Sequence, residues 1–124
     1  MRNEYLENLL ERMENEKGFT TGEYDLARAY KHSVRDGFEV LTFDEILWEK
    51  DVEDFVTALW ESNMNELYVT NQASNMLGVY LMLDKLGLKV RGIVELENPA
   101  YKRDMERWGQ SYHAQYIPAL KLTF

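Results

Sequence analysis

Between Glu66 and Glu97 the spacing of apolar residues changes period twice. Leu67, Tyr68 and Val69 form a short β-prone run with polar residues on both sides. A polar stretch, Thr70-Asn71-Gln72-Ala73-Ser74-Asn75, comes next. Met76, Leu77, Val79, Tyr80, Leu81, Met82, Leu83 and Leu86 are then apolar nearly all round a helix, which predicts a helix covered on more than one side. Ser74 is the natural N-cap, with Asn71 or Asn75 able to serve after a one-turn shift. Gly87 stands where a left-handed residue closes a helix. From Leu88 to Glu97 the period falls to two, with Val90, Gly92, Val94 and Leu96 on one face. Strand, helix and strand make one βαβ unit, and this unit is expected to be the centre of the molecule, with Leu81 in its core.

The flanking segments carry equally clear periods. Tyr5, Leu6, Leu9, Leu10 and Met13 form a stripe over Asn3 to Glu16, opposite Glu4, Glu7, Glu11 and Glu14. Thr20-Thr21-Gly22-Glu23 is a capping box that opens a second helix running to about Asp36, with Tyr24, Ala27, Tyr30 and Val34 as its apolar face. Phe38 to Phe43 reads as a strand. Val52, Phe55, Val56, Leu59 and Trp60 follow the i, i+3, i+4, i+7, i+8 pattern of a helix. Asn98-Pro99 is a helix start, with Tyr101, Met105 and Trp108 at helical spacing; a long loop is the alternative for 98–113. Tyr116 to Phe124 alternates, with Pro118 confining it to an edge or a strand's beginning.

These elements predict a single α/β domain over 1–124: a helical hairpin (1–37), then β-α-β-α-β-β (38–124). The expected sheet is four-stranded and mixed, with three parallel strands and the C-terminal strand antiparallel to the strand at 88–97. Helices on both faces are preferred, because an uncovered parallel sheet is rare.

Composition narrows the function classes. Cysteine is absent, which removes disulfides, thiolate chemistry and Cys-ligated zinc. No apolar run approaches twenty residues, so no membrane span is expected, and the acidic N-terminus is not a signal peptide. Cytoplasmic residence fits. The net charge of −8 is uneven: residues 44–66 hold eight acids and one base, whereas residues 67–124 hold five acids and seven bases. Duplex nucleic acid and membrane surfaces are poor partners for such a chain.

Several stretches together suggest a relationship: the helical start, Val69-Thr70-Asn71-Gln72-Ala73-Ser74, Leu86-Gly87-Leu88-Lys89-Val90 leading into Gly92-Ile93-Val94-Glu95-Leu96, and the aromatic C-terminal strand. Over most of its length the chain resembles small acidic uncharacterised proteins of low-GC Gram-positive gut bacteria, often carried on mobile elements. The resemblance implies a cytoplasmic accessory role. It carries over no catalytic residue.

Four sets of residues are candidates for function. Thr70, Asn71, Gln72, Ser74 and Asn75 lie beyond the carboxyl end of a strand, where open α/β sheets bind ligands; the same residue types also serve as ordinary helix caps. No Gly-x-Gly-x-x-Gly and no Walker lysine accompany them. Asp44, Glu45, Glu95 and Glu97 follow or end strands and could converge on one rim, to bind a cation or act as acid and base; solvated charge is the plainer reading. His32, near Arg28, Lys31 and Arg35, reads as a surface residue, and His113 with Ser111 as a remote base–nucleophile pairing. Finally, Tyr101, Arg103, Arg107 and Trp108 are residue types enriched at protein interfaces, although their spacing equally suits a helix packed on the sheet.

The expectation is therefore a small acidic, non-enzymatic protein-interaction or regulatory module. Its acidic block would meet a basic protein partner, and the 98–113 segment would supply an aromatic anchor. No catalytic residue, resident metal or cofactor is assigned. Ligand binding at the strand ends by Thr70, Asp44 and Glu95, or by an enzyme built there, is one alternative. An acidic mimic of nucleic acid is another. Oligomeric state is left open.

Overall fold

The computed structural model describes residues 1–70 and 76–124. Among them the chain forms α1 (Glu4–Asn15), α2 (Thr21–Asp36), β1 (Thr42–Phe43), a 3-10 turn (Glu49–Asp51), α3 (Val52–Glu61), β2 (Glu66–Val69), α4 (Leu77–Lys85), β3 (Lys89–Glu97), α5 (Pro99–Trp108) and β4 (Tyr116–Thr123). The sequence signals for helix ends are realised. Thr20 and Glu23 form a reciprocal capping box, Asn98 caps α5 with Pro99 in its first turn, and left-handed Gly37 closes α2.

The sheet is mixed, in the order β1-β2-β4-β3. Among the described residues β1 with β2 is the one parallel ladder; β4 lies between β2 and β3 and runs antiparallel to both. The expectation of three strands paired in parallel is thus corrected, while the antiparallel β3–β4 pairing stands. The reason lies in side-chain burial. Leu67, Tyr68 and Val69 of β2 are buried and need neighbours on both sides. β4 supplies one of them through Leu122, which is fully buried opposite Leu67. β3 buries no side chain and carries Lys89, Arg91, Glu95 and Glu97, a composition suited to an edge strand. Alternation along 88–97 shows that the strand has a polar face, but not which strand lies beside it.

Both crossovers, β1-α3-β2 and β2-α4-β3, move in the same direction across the sheet. With right-handed connections this puts α3 and α4 on one face. Leu41, Phe43, Leu67, Val69 and Leu122 share a single core with side chains of α1 to α4. Helices on both faces are therefore not what forms. The core is centred on α2, α3 and β2: Leu26, Phe55 and Leu59 are fully buried, and Phe55 meets Phe43 edge to face at 5.4 Å.

Helix α4 is less enclosed than its composition suggests. Val79 and Leu83, with Met76 just before the helix, are buried in the core and Tyr80 and Met82 pack partly against it, while Leu77 and Leu81 face solvent, Leu81 at 58% exposure. The buried face of α2 is likewise rotated from the expected one. Leu26, Ala27, Ala29, Tyr30 and Ser33 are buried, and Tyr24 and Val34 are exposed.

Beyond Val69, the last residue of β2, β4 has β3 alone as partner. Residues 94–97 and 116–119 continue as a two-stranded ribbon that carries α5 at its end. Before the ribbon begins, the β3–β4 register shifts between Val90 and Gly92, and Gly92 has φ +134°, a conformation side chains with a Cβ rarely adopt.

Candidate functional site

The carboxyl ends of β1 and β2 lie side by side. Thr70 N–H donates to the carbonyl of Phe43 at 2.9 Å, so Thr70 is adjacent to Asp44, the residue that follows β1. Asn71, Gln72, Ser74 and Asn75, the other ligand candidates of that loop, lie outside the described residues.

Helix α2 runs past these strand ends. Its residues Asp25, Arg28 and His32, at i, i+3 and i+7, share one face. Arg28 Nη2 sits 3.0 Å from Asp25 Oδ1 and 2.8 Å from Glu45 Oε2, and so joins the helix to the segment after β1. His32 Nδ1 is 3.6 Å from Glu45 Oε1. His32, Asp44 and Glu45 each bring a potential ligand atom within 4.8 Å of the others. His32 thus belongs to this cluster rather than to a plain surface. The signal was present in its spacing from Asp25 and Arg28, but it is invisible until Glu45 is placed opposite.

Two buried carboxylates stand behind the cluster. Asp25 Oδ2 and Asp51 Oδ2 are both inaccessible and have no hydrogen-bond partner among the described residues. Burial pushes the Asp25 carboxyl up to about 6; Arg28 opposes the shift, and the negative charges of Asp51 and Glu45 reinforce it. Asp51 precedes α3 without capping it through its side chain. The start of α2 approaches it closely at Gly22, where a Cβ would lie 2.5 Å from the Asp51 carbonyl oxygen.

Glu95 and Glu97 are elsewhere. They line a cleft of about 200 Å3 with residues 37–40, Pro99 and Lys102. The four carboxylates considered together from sequence therefore separate into two pairs, and only Asp44 and Glu45 converge.

The second candidate region is α5. It is a helix, not a long loop, and none of its side chains is buried. Trp108 is 64% exposed and Met105 is exposed beside it. Arg107 lies over the Trp108 ring, 5.2 Å from its centre. Lys102 and Arg107 make no ion pair with any described residue. Arg103 is exposed but engaged within the chain: its Nη1 donates to the Asp36 carbonyl at 3.0 Å, tying α5 to the end of α2. Tyr101 and Met105 line a groove of about 350 Å3 with Glu97, Asn98 and Gln115.

Ser111 and His113 do not form a nucleophile–base pair. Ser111 Oγ donates to Asp104 Oδ2 at 2.7 Å, and His113 Nδ1 lies 2.9 Å from the same oxygen. The Ser111 hydrogen bond, then that of His113, hold the Asp104 carboxyl below its usual range. Asp104 thereby fastens the segment after α5 back onto the helix.

The chain belongs to the family of a domain of unknown function (DUF7698), whose family model matches residues 25–124. The match spans the Asp25–Arg28–His32 face, the strand ends and α5. No curated protein and no solved structure matches the chain.

Proposed function

We propose that this DUF7698 domain is a non-enzymatic protein-interaction module, an accessory or regulatory protein of the cytoplasm that grips its partner through α5. One observation carries the reading: α5 is a well-capped ten-residue helix that buries none of its own side chains. A β3–β4 connection does not need it, since a two-residue turn can join antiparallel strands. A helix of this length is marginal in isolation, and most helical stability comes from packing an apolar face. Here that face, with Trp108 and Met105, is left open. Trp and Arg are the residues that most often dominate binding energy, and Arg107 over Trp108 holds the two ready as a unit. The partner chemistry that fits is an apolar socket for Trp108 with a carboxylate at its rim for Arg107.

The acidic block at 44–66 supports recognition less than its charge suggests. Asp51 is buried, and Glu45 is engaged by Arg28. The remaining surface acids disfavour nucleic acid as the partner. No helix among the described residues is long and apolar enough to cross a membrane.

The test is affinity capture from a lysate of the source organism with the wild-type chain and with Trp108→Ala/Arg107→Ala. A protein held by the wild type and lost by the double variant, at unchanged melting temperature, supports the proposal. Equal capture by both, or no retained protein, overturns it.

A further inference from the structure

We propose that His32, Asp44 and Glu45 form a binding site for a first-row divalent transition-metal ion. This site is independent of the α5 surface, and either assignment can fail without the other.

The ligand set is one imidazole and two carboxylates, presented from α2 and from the end of β1 within 4.8 Å of one another. The His32 Nδ1 to Glu45 Oε1 distance of 3.6 Å exceeds a hydrogen bond. It is close to the span of two coordination bonds of about 2.0–2.2 Å meeting near the tetrahedral angle, about 3.4 Å. Arg28 engages the other oxygen of Glu45 and so fixes the direction in which Oε1 points. Such outer partners commonly orient metal ligands.

An independent observation is the carboxylate of Asp25. Its side chain is only 7% exposed, and its Oδ1 meets the same Arg28 nitrogen that holds Glu45. Its Oδ2 is buried without a partner among the described residues, as is Oδ2 of neighbouring Asp51. Asp25 and Glu45 thus share one guanidinium, and Asp44 stands beside Glu45. A divalent cation held by Asp44 and Glu45 adds positive charge beside this group of carboxylates, and buried charges are ordinarily paired or bound to metal. Imidazole in the set favours Zn2+ or Co2+ over Mg2+, which prefers oxygen ligands. Three protein ligands leave positions for water or a small anion, as in open sites.

The experiment is calorimetric titration of the full chain, stripped with chelator, with Zn2+, Co2+ and Mg2+. The expected result is one-to-one binding of Zn2+ and Co2+ with a rise in melting temperature, and much weaker binding of Mg2+. His32→Gln and Asp44→Asn remove ligands from a partly exposed and an exposed position. Each should weaken Zn2+ binding by more than the roughly 10–100-fold typical of losing an outer partner, with the metal-free melting temperature unchanged. Absence of one-to-one binding by the wild type overturns the proposal. So does Zn2+ affinity that survives in both variants.

Discussion

Arg28 lies 3.0 Å from Asp25 but satisfies only one oxygen of its carboxylate, leaving the other buried and without a hydrogen-bond partner among the described residues. The pair is therefore unbalanced, and burial raises the Asp25 carboxyl from 3.8 to about 6. The folded state holds this proton more tightly than the unfolded chain does. Stability linked to Asp25 is complete below about pH 3.8 and is lost as the pH rises through about 6. At about 1.4 kcal/mol per unit, the loss reaches at most about 3 kcal/mol at neutral pH. Asp25→Asn should therefore melt higher than the wild type at pH 7.5, in chelator, and the difference should vanish near pH 4. Parallel melting curves for the two proteins from pH 4 to 7.5 would show that Asp25 carries no such penalty.

Ser33 illustrates a different dependence on one polar group. Its Oγ donates to the Ala29 carbonyl at 2.8 Å and accepts the Thr42 N–H at 2.9 Å, joining α2 to the short strand β1 in a fully buried place. Ser33→Ala leaves the Thr42 N–H without this acceptor. Orphaning a buried donor costs about 1–3 kcal/mol, and urea unfolding should show a loss in that range. A change below about 0.5 kcal/mol, ordinary for a surface site, would mean that water or another group replaces Ser33.

Element identity was largely legible in the sequence, because it rests on local periods and caps. The capping box at Thr20 and Glu23 and the Asn98-Pro99 start reappear in the structure as read. Strand order was not legible, since β4 displaces β3 from β2 through contacts between residues more than fifty positions apart. The direction a helix faces was legible only where its two sides differ. In α1 the glutamates mark the outside, and Leu6 and Leu9 are buried as expected. In α4 no polar side exists to mark it. The candidate site was half legible. Asp44 and Glu45 stood out at a strand end, but His32 joins them only because α2 packs alongside.

Helix α4 turns this ambiguity into a measurable contrast between two leucines two positions apart. Leu83 is 1% exposed, whereas Leu81 is on the open side. Leu83→Ala should cost about 2–5 kcal/mol, the range for a buried leucine. Leu81→Ala should stay within about 0.5 kcal/mol of the wild type. Chemical denaturation of both variants decides the matter. Equal losses would mean that α4 is covered on both sides after all.

Gly22 sits in the first turn of α2, where helix propensity alone favours Ala over Gly by about 1 kcal/mol. Packing reverses that preference. A Cβ at Gly22 would lie 2.5 Å from the Asp51 carbonyl oxygen and 2.6 Å from the Phe55 nitrogen. Both are backbone atoms, so no side-chain rotation relieves the contact, and the starts of α2 and α3 must move apart. Phe55 is fully buried, and the displacement reaches directly into the core. Gly22→Ala should therefore destabilise the protein by about 1–3 kcal/mol, the usual cost of overpacking. Gly18→Ala, where nothing lies within 4 Å, is the control for a mere change at a glycine. Its left-handed backbone (φ +96°) adds a strain of its own, of about 1–2 kcal/mol, but no repacking. The two should separate in the backbone amide NMR signal of Phe55, shifted in Gly22→Ala and native in Gly18→Ala. A Gly22→Ala protein as stable as the wild type would mean that the α2–α3 contact is looser than the structure shows.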